Sequence, residues 1–86
     1  MTDKQKEFLE TLESNLGIVS IACDKTNTDR ETFDVWLNQL DFKREYNRVR
    51  EKSVDYVEHQ LLKLINEGDL SAIQFYLKSQ GKKRGY

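Results

Sequence analysis

The stretch IVSIACDKTNTDRETFDVWLNQL, residues 18–40, decides the fold. Its first part, about Ile18 to Lys25, reads as a short helix with Ile18, Ile21 and Ala22 on a shared face. Thr26-Asn27-Thr28 reads as a turn, because Asn tolerates the left-handed backbone that such turns require. Thr28-Asp29-Arg30-Glu31 matches a capping box, in which Thr and Glu side chains satisfy free N–H groups at a helix start. A helix from about Asp29 to Gln39 follows, with Phe33, Trp36, Leu37 and Leu40 as its buried stripe. Two short helices joined by a tight turn make a helix-turn-helix pattern, a spacing that other helical hairpins share. Ala22 permits it, since a larger side chain would hold the crossing helices apart.

Working outward, the first helix is expected from Asp3 to Asn15, with Phe8, Leu9, Leu12 and Leu16 on one apolar face. Beyond the turn pattern a long helix is expected from Asp41 to Asn66, ~40 Å at ~1.5 Å per residue. Its apolar line is Phe42, Tyr46, Val49, Val54, Val57, Leu61, Leu64 and Ile65. Glu67-Gly68-Asp69 stops it and caps a last helix, Leu70 to Gln80, with Leu70, Ile73, Tyr76 and Leu77 on one side. The chain has no proline, and Gly17, Gly68 and Gly81 fall where helices should stop. The expected class is all-α. A three-helix helix-turn-helix module (residues 1–40) precedes a long helix and a C-terminal helix forming a hairpin (41–80), then a basic tail (81–86).

At 86 residues, 37% hydrophobic and 34% charged, the chain has one modest core and a wet surface, a combination that favours self-association. No apolar run approaches the ~20 residues of a membrane span, and the N-terminus MTDKQKEF has no secretory pattern. Cys23 is the single cysteine, so no internal disulfide forms, and a lone thiol fits a reducing cytoplasm. Charge is polarised. Residues 1–34 hold four Lys/Arg against eight Asp/Glu, and residues 35–86 hold ten against seven. That permits nucleic-acid contact from the later part.

Candidate DNA contacts are Thr28, Arg30 and Thr32, in the first turn of the recognition helix. The alternative makes Thr28 only a cap and Arg30 a partner of Asp34, four residues on. Lys43, Arg44, Arg48, Arg50 and Lys52 sit early in the long helix, and Arg44, Arg48 and Lys52 form one basic stripe. It reads as phosphate binding or as a solvated face with Glu45 and Glu51 nearby. Catalytic signals are nearly empty. His59, the single histidine, reads as a helix-surface residue, and no His/Cys cluster suits zinc. No Gly-rich loop cradles phosphate, so neither an enzyme nor a bound cofactor or metal is expected. Val57, Leu61, Leu62, Leu64 and Ile65 are apolar to spare, and Val35 and Phe75 lie off the main stripes. The hairpin residues either contact neighbouring subunits, with head-to-tail contacts closing a ring, or fold back over the first three helices; Val35 and Phe75 either meet a partner or are ordinary exposed apolar residues.

Leu16-Gly17-Ile18-Val19, Ala22-Cys23, Arg30, Thr32-Phe33, Trp36-Leu37, Phe42, Leu61-Leu62-Lys63-Leu64-Ile65 with Glu67-Gly68-Asp69, Ala72 through Lys78, and Gly81-Lys82-Lys83-Arg84-Gly85-Tyr86 together resemble phage-type terminase small subunits with a homeodomain-like N-terminal module. The resemblance runs from about Lys4 to Tyr86. It implies genome packaging in a bacterial host cytoplasm: recognition of viral double-stranded DNA, assembly as a ring of identical subunits, and delivery to a large terminase subunit that holds the ATPase and nuclease. It also favours a DNA role for Lys82, Lys83 and Arg84 over simply keeping the protein soluble; the hairpin residues Val57, Leu61, Leu62, Ile65 and Phe75 are the candidate assembly contacts. The sequence departs from the family where relatives place an aromatic and a basic residue after Thr-Phe. Here Asp34 and Val35 stand there, and with Asp29 and Glu31 they leave the recognition helix acidic. Carboxylates repel phosphates, so the alternatives are a helix-turn-helix transcriptional regulator or a protein-interaction module of a prophage.

Overall fold

The computed structural model describes residues 1–80, which form five helices and, among the described residues, no strand. These are α1 (Asp3–Ser14), α2 (Val19–Thr26), α3 (Arg30–Trp36), α4 (Leu40–Asn66) and α5 (Leu70–Gln80). The class is all-α, as the periodicity requires. The chain divides into two compact units, Met1–Val54 and Asp55–Tyr86, so the division falls inside α4 instead of at residue 40. The physical reason is that Phe42 and Val49 of α4 are buried in the same core as the first three helices.

That core is aromatic at its centre. The ring of Phe8 (α1) lies 5.3 Å from Phe33 (α3), 5.7 Å from Trp36 and 6.2 Å from Phe42 (α4). Phe33 and Phe42 meet edge to face at 6.0 Å. Each fully buried Phe contributes ~1.5–3 kcal/mol by leaving water, and tilted or edge-on pairs add roughly 0.5–1.5 kcal/mol. Leu9, Leu12, Ala22, Cys23 and Val49 complete the buried set.

Backbone caps fix where each helix stops. Thr2 and Gln5 form a capping box at the start of α1, with Gln5 N–H donating to Thr2 Oγ1 (3.2 Å) and Thr2 N–H to Gln5 Oε1 (3.0 Å). Buried Gln5 also donates from Nε2 to Gln39 Oε1 at 2.9 Å, tying that end of α1 to the turn after α3. At the other end Gly17 N–H donates to the Leu12 carbonyl at 2.9 Å, which puts Leu16 at φ +58° and Gly17 at φ +71°. Leu16 is therefore swung out to solvent instead of extending the apolar face of α1. Asn27, at φ +54°, closes α2 in the left-handed conformation that its side chain tolerates, while Thr28 N–H donates to the Cys23 carbonyl at 2.9 Å.

Three further expectations are corrected. α2 is covered on one side only, so Ala22 and Cys23 are buried while Ile18 and Ile21 are exposed. α3 ends at Trp36 and the chain turns through residues 37–39. Leu40 therefore opens α4, 63% exposed, and does not continue the stripe of α3. Val54, also placed on the apolar line of α4, is exposed, because the core contact ends at Ser53.

In the second unit, Asp69 N–H donates to the Leu64 carbonyl and Gly68 N–H to that of Ile65, each at 3.0 Å, with Gly68 at φ +83°. This paired capping ends α4. Asp69 then caps α5 by accepting Ala72 N–H at 2.8 Å. Ala72 is buried, and Leu61, Ile65, Ile73 and Leu77 are half-buried. Val57, Leu64, Leu70 and Tyr76, expected on buried faces, are exposed.

A Cβ at Gly17 would sit 3.3 Å from Ser53 Oγ on α4, in a backbone conformation that already penalises side chains. Gly17→Ala is expected to cost about 1–2 kcal/mol from the left-handed backbone alone. The check is urea unfolding, where the midpoint should fall at unchanged slope.

Candidate nucleic-acid interface

A short break, Asn27 to Asp29, separates α2 from α3. Ala22 and Phe33 are buried from either side of it, and Trp36 is half-buried. The outer side of α3 is bare: Arg30, Glu31, Thr32, Asp34 and Val35 are all exposed. Arg30 Nε lies 3.7 Å from Asp34 Oδ1, and its guanidinium sits 5.4 Å over the ring of Phe33. Both solvated partners of that ion pair keep it weak.

Thr28 does not belong to this face. It is only 7% exposed, and its hydroxyl lies 2.8 Å from that of Thr26. Thr26 Oγ1 donates to the Ala22 carbonyl at 2.7 Å, so its one proton is spent and Thr28 donates to Thr26. The expected capping box is absent because Asp29 is the N-cap of α3 and makes no side-chain cap bond. The hydroxyl turned inward serves the turn. Lys4 Nζ donates to the Thr26 carbonyl, which holds the same turn to α1.

The expected basic stripe on α4 is divided. Arg48 bonds Glu45 at 3.0 Å and approaches Glu13 of α1 at 3.9 Å, and Lys52 reaches Glu13 at 2.6 Å. The Lys52 ammonium, with Arg48 beyond it, holds the Glu13 carboxyl below its ordinary value. Glu45 and Glu13 push Arg48 further toward its charged form. These two cations are thus compensated within their own unit. Arg44 is exposed and, among the described residues, makes no ion pair. Lys82, Lys83 and Arg84 lie outside the described residues.

No family model matches the chain, and no curated protein or solved structure matches it.

The sequence reading missed two features of this unit. Glu13 carries no motif or spacing signal in the sequence, yet it is the carboxylate that draws Arg48 and Lys52 toward α1. Tyr46 was assigned to the core alone, yet its half-buried ring bridges Phe33, at 5.2 Å, and the guanidinium of Arg50, at 5.8 Å. Its spacing of four from Arg50 was the available signal. Burial pushes the Cys23 thiol up, which keeps it protonated. Among the described residues no His/Cys/Asp/Glu group could hold a metal ion, and no helix is long and apolar enough to cross a membrane. Of the hairpin residues, Val57, Leu62 and Phe75 are exposed, Phe75 by 59%, while Leu61 and Ile65 are half-buried.

Thr28→Val should lower stability by about 1 kcal/mol, the usual net worth of one internal hydrogen bond, as read by thermal unfolding. A loss of DNA affinity at unchanged stability would instead return Thr28 to the contact surface. Glu13 gives a pH prediction. Its folded carboxyl titrates below the ordinary 4.5, so its contribution is present above that pH and is lost as pH falls through the lowered value. Glu13→Gln should therefore be less stable than the parent at neutral pH and converge on it below pH 4.5. Parallel unfolding curves across that range would contradict the ion pair.

Proposed function

We propose that this protein is a small-terminase-like DNA-recognition subunit for phage genome packaging, working inside the bacterial host. It binds viral double-stranded DNA, assembles with copies of itself into a ring, and passes the DNA to a large subunit that supplies ATPase and nuclease chemistry. It carries no reaction of its own. The observation that supports this most is the bare outer side of α3, with Arg30 and Thr32 exposed at the start of the second helix of a helix-turn-helix. That is where such modules meet base edges and phosphates. The exposed Val57, Leu62 and Phe75 of the second unit support self-assembly.

A second reading, a protein-interaction module or regulator, draws on one observation. Glu31 and Asp34 are exposed on the same face, and Asp34 occupies Arg30. Solution mass with and without cognate viral duplex separates the readings. The packaging subunit should give a discrete oligomer larger than a dimer and a mobility shift that weakens steeply with salt. A dimer on a palindromic site would mark a regulator. Unchanged duplex mobility at low salt would mark an interaction module. Leu62→Asp with Phe75→Asp should reduce the mass to that of one chain at unchanged helicity, because charges at a subunit contact would be buried unpaired.

A further inference from the structure

α4 has two basic flanks, and only one of them is compensated. Arg48 and Lys52 lie on the side where Glu13 of α1 approaches. Lys43 and Arg50 lie on the opposite flank. At ~100° per residue they fall about 20° apart in projection, on either side of the level of Tyr46 and about 10 Å apart along the axis. Tyr46 is the side chain that α4 lays against Phe33 of α3, so this flank borders the recognition helix.

Three observations make this flank different from a generic wet helix face. The residues three and four positions from Arg50 are Tyr46, Asn47, Ser53 and Val54, and those around Lys43 are Gln39, Leu40, Tyr46 and Asn47. None is a carboxylate, and among the described residues neither cation makes an ion pair. Both are exposed. The Arg50 guanidinium is also held in place, 5.8 Å over the Tyr46 ring, while Arg30 is held 5.4 Å over Phe33, whose ring meets Tyr46 at 5.2 Å. An arginine stacked on a ring loses little further freedom on binding, and its N–H edge stays open to an anion. Two cations ~10 Å apart along a rod can meet separate phosphates of one DNA strand.

We propose that Lys43 and Arg50 form the row that grips the phosphates of one DNA strand next to α3. The row rests on the DNA-binding reading and names which side of the long helix carries it. It compensates for the carboxylates on α3: the cations come from the neighbouring helix, on a flank free of acids. Arg48 and Lys52 hold α1 to α4 instead.

The test is anisotropy titration of a random-sequence DNA duplex over a range of salt, on the full chain. Each phosphate contact contributes about 0.9 to the slope of log affinity on log salt. Lys43→Gln with Arg50→Gln should therefore lower that slope by roughly 1.8, with helicity unchanged by circular dichroism. Arg50→Lys should restore most of the slope but less of the affinity, because the charge returns without the stacked plane. Arg48→Gln with Lys52→Gln should lower stability and move the slope little. An unchanged slope in the Lys43/Arg50 variant, or an equal loss in the Arg48/Lys52 variant, overturns the row while leaving DNA binding intact. Parent protein that shows no salt-dependent duplex binding removes the DNA-binding reading and the row together.

Discussion

Phe33 has to be buried for the first unit to exist in this form. It is the one fully buried side chain of α3, a helix of only seven residues that could not persist by itself in water. Its ring meets Phe8, Phe42 and Tyr46, from α1 and α4, so three helices converge on one aromatic group. Ala22 on α2 and the left-handed Asn27 allow α3 to arrive there at all. Everything exposed on α3 is exposed because this one residue anchors its inner side.

The same anchor arranges the charges. Packing Phe42 and Val49 inward sends Arg48 and Lys52 toward Glu13, and Arg50 over the Tyr46 ring. A net charge of −1 conceals this division, since charges are sorted by helix face as well as by chain segment. Carboxylates on α3 beside uncompensated cations on α4 are electrostatically different from carboxylates alone, as far as screening allows (~10 Å Debye length at 0.1 M salt).

The second unit obeys a different constraint. Its turn is fully specified by Gly68 and Asp69, yet two helical segments have too little facing surface to cover every apolar side chain they carry. Ala72 is buried, while Tyr56, Val57, Leu62, Leu64, Leu70, Phe75 and Tyr76 remain in solvent. Burial of such residues is worth ~25 cal/mol per Å², a driving force for association that the unit does not use internally.

The sequence alone determined the all-helical class, the five segments to within a few residues, and the turns at Asn27 and Gly68, because periodicity and left-handed backbone demands are local. The core residues Phe8, Leu12, Ala22, Phe33 and Phe42 were legible for the same reason. Tertiary structure decided what happens to groups whose fate depends on a distant partner. Thr28 reads locally as a cap, but Thr26, whose own hydroxyl donates to the Ala22 carbonyl, draws the Thr28 hydroxyl inward. Leu16 reads as core, but closing α1 onto the Gly17–Ser53 approach turns it out. Spacing separates Arg48, in the stripe with Arg44 and Lys52, from Arg50, four residues from Tyr46, but only packing brings Glu13 to the first and lays the second on the Tyr46 ring. A side chain's helix face follows from spacing, whereas the partner that meets that face is set by how the helices pack.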